Sequence, residues 1–342
     1  MNKKQVAKKL GKQTAATLTI PVIVYIIMLI ACGAKGTLFN IFTGPALSSI
    51  LPDTMYMTIV AFGIGFQLKY GRFDFCGGAL IVVSAMLGAQ ITDMTDGGIP
   101  VLVISSVLIS VVLSVINATV YSWLKIPISV VSLAMAYFFE AIPGIVLGGD
   151  TAPTLIYDNA FNALGSLPVI LIPFAIACVL YFCYDKYTTI GRQSVLLARN
   201  QGAAVNIGIN EKKNVIVCYV ISGIFFGLAG AIYATENVLL PITSPLQTAG
   251  TLFSNIIPSL VGLFLSRFID DTLGTIVGAF TITLFYYGLD SIGVLGGMQT
   301  ILYAVFLAAF IFISGFWDQI IAFFKGIIGK INNKTMRKAP QS

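Results

Sequence analysis

The 342-residue sequence predicts an all-α integral membrane protein of about ten transmembrane helices, with its N- and C-termini in the cytoplasm. Three observations carry that prediction. Apolar residues make up 57% of the chain and charged residues 10%, whereas a soluble domain carries about 25% charged residues. Apolar runs of the ~20 residues needed to cross hydrocarbon recur from end to end. Basic residues fall almost wholly at alternate breaks between those runs, as the retention of Lys and Arg on the cytoplasmic side requires.

Taken in order, a Lys-rich start (Lys3, Lys4, Lys8, Lys9, Lys12) leads into a first span at 15–34. Spans at 46–68 and 74–92 are split by Lys69 to Arg72, and Asp93 and Asp96 precede a fourth at 99–123. Lys125 separates this from 126–148, after which a loop with Asp150 and Asp158 leads to 166–184. A polar stretch, 185–213, follows. The seventh span, 214–236, ends on Glu236; the eighth, 250–266, is short and carries Pro258. Beyond Arg267 come 273–293 and 297–316. In the tail, 317–342, Ile320, Ile321, Phe323, Phe324, Ile327, Ile328 and Ile331 stand among lysines, which suits a basic amphipathic helix on the inner interface. With the N-terminus inside, nineteen of the twenty basic residues lie inside and Lys35 is the exception. The organisation expected is one polytopic domain, 1–316, with a cytoplasmic loop at 185–213 and a cytoplasmic tail.

Several function classes fall away. The net charge of +6 follows membrane topology rather than a basic face interleaved with aromatics, so no nucleic-acid partner is expected. All five cysteines (Cys32, Cys76, Cys178, Cys183, Cys218) sit in or beside apolar segments, where Cys acts as a small hydrophobe, and neither a disulfide nor a metal site is expected. Histidine is absent, which removes imidazole general-base chemistry. Gly11-Lys12-Gln13 and Gly329-Lys330-Ile331 lack the preceding glycine and the hydroxyl residue of a P-loop, and no nucleophile elbow or pair of catalytic carboxyls stands out. The chain reads as non-enzymatic, with no catalytic residue and no cofactor.

The cytoplasmic loop is the most informative segment. Gln193 to Ala204 has helix-forming character, Gly202, Ala203 and Ala204 offer a surface without bulk, and Gly208 provides a stop. Such a helix suits docking into a groove of another protein, since small side chains allow close approach; it also suits an amphipathic linker resting on the bilayer, and residue physics leaves both open.

A resemblance separates them. Arg199-Asn200-Gln201-Gly202-Ala203-Ala204-Val205-Asn206-Ile207-Gly208-Ile209-Asn210 resembles the coupling-helix signature of ABC importer permeases of the ribose and branched-chain amino acid type. The resemblance extends to Gly63–Gly78, with Asp74 at the family's Asp position, to Asn117-Ala118 followed by Ile126-Pro127 and Val131-Ser132-Leu133, to Tyr219–Ala231, and to Gly274–Gly293. It departs at Val261–Arg267, where the family shows Gly-Gly and a Gly-rich turn, and at Phe75-Cys76 after Asp74.

The resemblance implies a membrane-spanning permease subunit in a bacterial cell membrane, importing a small polar solute, foremost a pentose or hexose. Nucleosides and branched-chain amino acids are the alternatives within it. It implies ABC ATPase subunits docked on the loop through Arg199, Asn200, Gly202, Ala203, Ala204, Gly208 and Ile209, an extracytoplasmic solute-binding protein, and a second permease copy in a homodimer. It also implies an inverted repeat, since spans two to five start outside and spans seven to ten start inside. Asn117, Glu140 and Asn255, polar residues within apolar spans, are the candidates for the translocation path. The rival class is a stand-alone secondary carrier, for which Glu140 would be the intramembrane ionisable group.

Overall fold

The computed structural model describes residues 3–317 and 319, apart from 38, 125, 150 and 295, with side chains from 17 onward except that of 185. The amphipathic tail apart from 317 and 319, Lys125, Asp150 and the side chains of the N-terminal lysines therefore lie outside the described residues. The helices, in order, are α1 (Lys3–Lys35), α2 (Gly44–Lys69), α3 (Gly77–Met94), α4 (Ile99–Leu124), α5 (Ile128–Val146), α6 (Asn159–Asn162), α7 (Leu171–Tyr187), α8 (Thr189–Arg199), α9 (Gln201–Asn206), α10 (Glu211–Glu236), α11 (Ala249–Ser254), α12 (Ile256–Leu265), α13 (Asp271–Ser291) and α14 (Gly296–Gly315). Eight contain a stretch long and apolar enough to cross a bilayer, and Leu171–Tyr184 and Ala249–Leu265 are two shorter apolar stretches, which together match the ten predicted spans. The chain is a multi-pass, all-α membrane protein. Residues from Val294 on, including α14, form a separate unit.

Why these helices pack follows from the lipid solvent. Lipid tails are as apolar as Leu, so helix association depends on close packing and on interhelical hydrogen bonds. Helix α1 shows the division: Val24, Met28 and Cys32, four residues apart on one face, are buried, with Met28 against Gly288 of α13, while Leu18, Ile23, Ile27 and Ile30 face outward. At the centre, α10 meets α4 through glycine. A Cβ built on Gly227 would lie 2.5 Å from the Val107 Cα, and one on Gly223 would lie 2.9 Å from the Val111 Cα.

Within residues up to Gly293, α10 packs on α3 and α4, and α2 packs on α12 and α13. Helix α10 also packs on α2, so the two sets of helices meet along α2 and α10. Ion pairs join three of the helix ends. Lys69, at the end of α2, meets Asp271 at 2.9 Å, Tyr181 of α7 donates to the same carboxyl at 2.8 Å, and Lys186 pairs with Asp270. The ends of α2 and α7 and the start of α13, all placed inside by the charge rule, are gathered at one end.

The eighth span departs from the single helix expected at 250–266. It is split at Asn255 into α11 and α12, and α11 is preceded by a non-helical stretch from Asn237 to Thr248. The break coincides with the Asn255 side chain turning back to donate to the Thr251 carbonyl at 2.8 Å, a local bond that competes with regular helix.

Candidate functional site

Caps shape the loop between α7 and α10. Thr188 starts α8 by accepting from Gly191 N at 3.0 Å. The expected helix over 193–204 is interrupted at Asn200, whose backbone (φ −157°, ψ 95°) is extended and whose side chain accepts from Ala203 N at 3.0 Å. One Asn therefore closes α8 and caps α9, making an elbow. Gly208, at φ +91°, ends α9 in a left-handed conformation that side-chain-bearing residues rarely adopt, and Asn210 then caps α10 through Lys213 N at 3.1 Å.

The elbow has an inside and an outside. Leu197, Ala204 and Ile209 are buried together in a small apolar cluster. Arg199, Asn200, Gly202, Ala203 and Gly208 are exposed, and so are Val205 and Ile207, the latter 72% exposed. Of the seven residues assigned to the loop from sequence, Ala204 and Ile209 thus hold its shape while the other five are available to a partner. Val205 and Ile207 went unnoticed because their exposure depends on the Asn200 break, which rotates α9 relative to α8. Asn200→Ala removes the cap acceptor and is expected to destabilise α9 by about 1 kcal/mol, read as faster amide hydrogen exchange confined to 201–206 of the purified permease.

The elbow is tied to the membrane core by buried polar groups. Ser194 of α8 lies 2.8 Å from Asn214 Nδ2, which also donates to the Ile190 carbonyl at 3.1 Å. Arg72, from the α2–α3 loop, donates through Nη2 to Asn214 Oδ1 at 3.3 Å. Farther along the same loop, the Asp74 carboxyl accepts from Cys76 N at 2.8 Å and from Asn117 Nδ2 of α4 at 3.3 Å, while Ser132 of α5 accepts from Phe75 N at 3.0 Å. Gln67 of α2 reaches Ser222 of α10 at 2.9 Å. Burying polar groups is costly unless they are paired, and these bonds link five helices around the α2–α3 loop.

The structure brings Asp74 and Asn117 together but keeps the other two candidates apart from them. Glu140 points from α5 toward the stretch before α11, where its carboxyl oxygens accept from Leu246 N at 2.6 Å, Thr248 N at 2.7 Å and Thr248 Oγ1 at 2.6 Å. Its partners are mostly main chain, so no residue pattern announced them. Asn255 sits at the α11–α12 break with its Oδ1 buried and without a hydrogen-bond partner. No group of three or more potential metal ligands occurs among the described residues.

These features can be set against known proteins. Residues 46–315 match the family model described as the permease component of the branched-chain amino acid transport system. The galactose/methyl galactoside import permease of Haemophilus influenzae is 23% identical over 299 residues, covering 79% of this chain and 87% of the relative. The ribose import permease of Escherichia coli is 24% identical over 278 residues, covering 78% and 84%. The D-allose transport system permease of the same species is 24% identical over 239 residues, covering 63% and 72%. With ten apolar stretches among the described residues, a capped elbow between α7 and α10 and a family match that runs over most of its length, the chain belongs to the branched-chain amino acid transport system permease family.

Proposed function

We propose that this chain is the permease subunit of an ATP-driven importer of a monosaccharide in a bacterial cell membrane, working as a homodimer with ATPase subunits and an extracytoplasmic solute-binding protein. The observation that carries the coupling half of this reading is the elbow at Asn200. It exposes Gly202, Ala203 and Val205 on a six-residue helix, and Ile207 at its C-cap, with a cap at the start and a glycine stop after the end. Small and apolar exposed residues on a rigid projection suit insertion into a groove of a separate protein. The buried bonds from Ser194 through Asn214 to Arg72 give that projection a mechanical path into the helices.

The cargo half rests on the relatives, whose names specify galactose, ribose and allose. A path for a neutral polyol needs polar groups without a charged trap. Asn117 and Asn255, each with a buried Oδ1 lacking a partner, supply such groups, whereas the Glu140 carboxyl accepts from Leu246 N, Thr248 N and Thr248 Oγ1 and so holds chain segments of the protein itself. Asp74 positions Asn117, and hydrolysis of ATP belongs to the partner subunit.

The test is uptake of labelled galactose, ribose, xylose, uridine and leucine into cells with and without the gene. Gene-dependent uptake of one of the three sugars is the expected result. Uptake of leucine or uridine alone would overturn the monosaccharide assignment while leaving the family intact.

A further inference from the structure

Three independent features converge on residues 246–248. Glu140 lies twelve residues into α5, hence about 18 Å along it and about 9 Å short of its outer end at 1.5 Å per residue. That depth is inside a hydrocarbon core about 30 Å thick, where an ionisable side chain is costly and rarely idle. Its carboxyl binds Leu246 N, Thr248 N and the Thr248 hydroxyl.

Leu246 itself has φ +55°, a left-handed conformation that is strained for a residue with a side chain and persists where surrounding contacts over-determine it. The Thr248 carbonyl also rests on Gly78 of α3, in space that any Cβ would take. A strained turn is thus clamped between a buried carboxyl and a glycine.

The clamped turn belongs to the non-helical stretch that follows α10. Since α10 begins beside Arg72 at the inner end, its last residue Glu236 and the chain after it lie toward the outside. From there the chain descends to the depth of Glu140 and enters α11, whose Leu252 is fully buried. A cavity of about 160 Å³ lies against this stretch, with Val82, Tyr233, Leu239, Gln247, Thr248 and Thr251 in its wall. The stretch therefore covers a void with both polar and apolar walls.

We propose that Glu140 is a positioning residue that latches residues 237–255 in place as an outer gate, and that release of the 246–248 turn from its carboxyl opens the core to the extracytoplasmic side. The inference rests on the family-level transport role and is independent of the cargo. Motion of α5 displaces the carboxyl from three donors at once, and the strain at Leu246 favours departure once they are lost. A latch of this kind is two-state, because a turn held by three short bonds has no graded intermediate position.

Leu252→Cys reports the gate, being fully buried while it is closed. In cells carrying the full transporter, labelling by a membrane-impermeant maleimide from outside is measured against the same protein without the added cysteine, at matched membrane abundance. Adding Glu140→Ala is expected to speed labelling at least tenfold. Adding Thr248→Val, which removes one of three donors and keeps the side-chain shape, is expected to speed it two- to threefold. A purely structural role would lower abundance without raising the labelling rate of the protein that remains. Should Glu140→Ala not accumulate, Thr248→Val decides alone: faster labelling supports the latch, and an unchanged rate overturns it.

Discussion

Ala203→Arg is expected to strip the ATPase subunit from the permease while leaving the permease folded. Ala203 is exposed on α9 and its backbone N–H is already held by Asn200, so a longer side chain there meets nothing within the described chain. At the centre of a docked helix the same change places bulk and charge where close approach is needed. A central interface residue is worth about 2 kcal/mol or more, so co-purification should fall some thirtyfold. Ala204→Arg should behave differently, because Ala204 is buried against Leu197 and Ile209. It must break that cluster, and docking and protease resistance of the loop should be lost together. Ala203→Arg protein that retains its ATPase would remove α9 from the docking surface.

Gly227→Leu is expected to have the largest effect on the fold. The Val107 Cα and the Ser106 carbonyl already stand 2.5 Å and 2.9 Å from where a Cβ would sit. These are backbone atoms of α4, which yield only if the whole helix moves. Overpacking typically costs 1–3 kcal/mol, and here it separates two central helices. Membrane abundance should drop severalfold, with faster unfolding in detergent. Unchanged abundance and thermal stability would mean that α4 and α10 do not approach as described. Gly202→Leu makes a contrast, since among the described atoms only Asn200 Oδ1 lies near its Cβ position, at 3.8 Å.

The spans were legible because the bilayer imposes one length and one solvent. Span 99–123 is met by Ile99–Leu124 and span 214–236 by Glu211–Glu236, each within three residues. The Lys69–Asp271 and Lys186–Asp270 pairs join breaks that the count of basic residues had placed on one side. Asp74 and Asn117 were both named by the resemblance, Asn117 also as a polar residue in an apolar span, and they prove to be partners.

What stayed hidden shares a physical cause: it depends on main-chain geometry. Asn200 as the break between α8 and α9 could have been suspected, since Asn before Gln-Gly-Ala-Ala is a good cap, but a continuous helix-forming stretch masked it. The inward turn of Ala204 follows from that break. Glu140 was visible as an awkward group, yet its partners are the amides of Leu246 and Thr248 and one hydroxyl, which carry no sequence signal across a separation of more than one hundred residues. The split of the eighth span at Asn255 likewise left only short length and Pro258 as hints.

The central claim, transport driven by ATP through the cytoplasmic elbow, is tested most directly by measuring gene-dependent sugar uptake in cells whose proton and sodium gradients are collapsed by ionophores while ATP is maintained. The account predicts that uptake persists, and that Ala203→Arg abolishes it under the same conditions. Uptake that stops when the gradients collapse would contradict it and point to a gradient-driven carrier, and uptake that persists but survives Ala203→Arg at full rate would contradict coupling through the elbow.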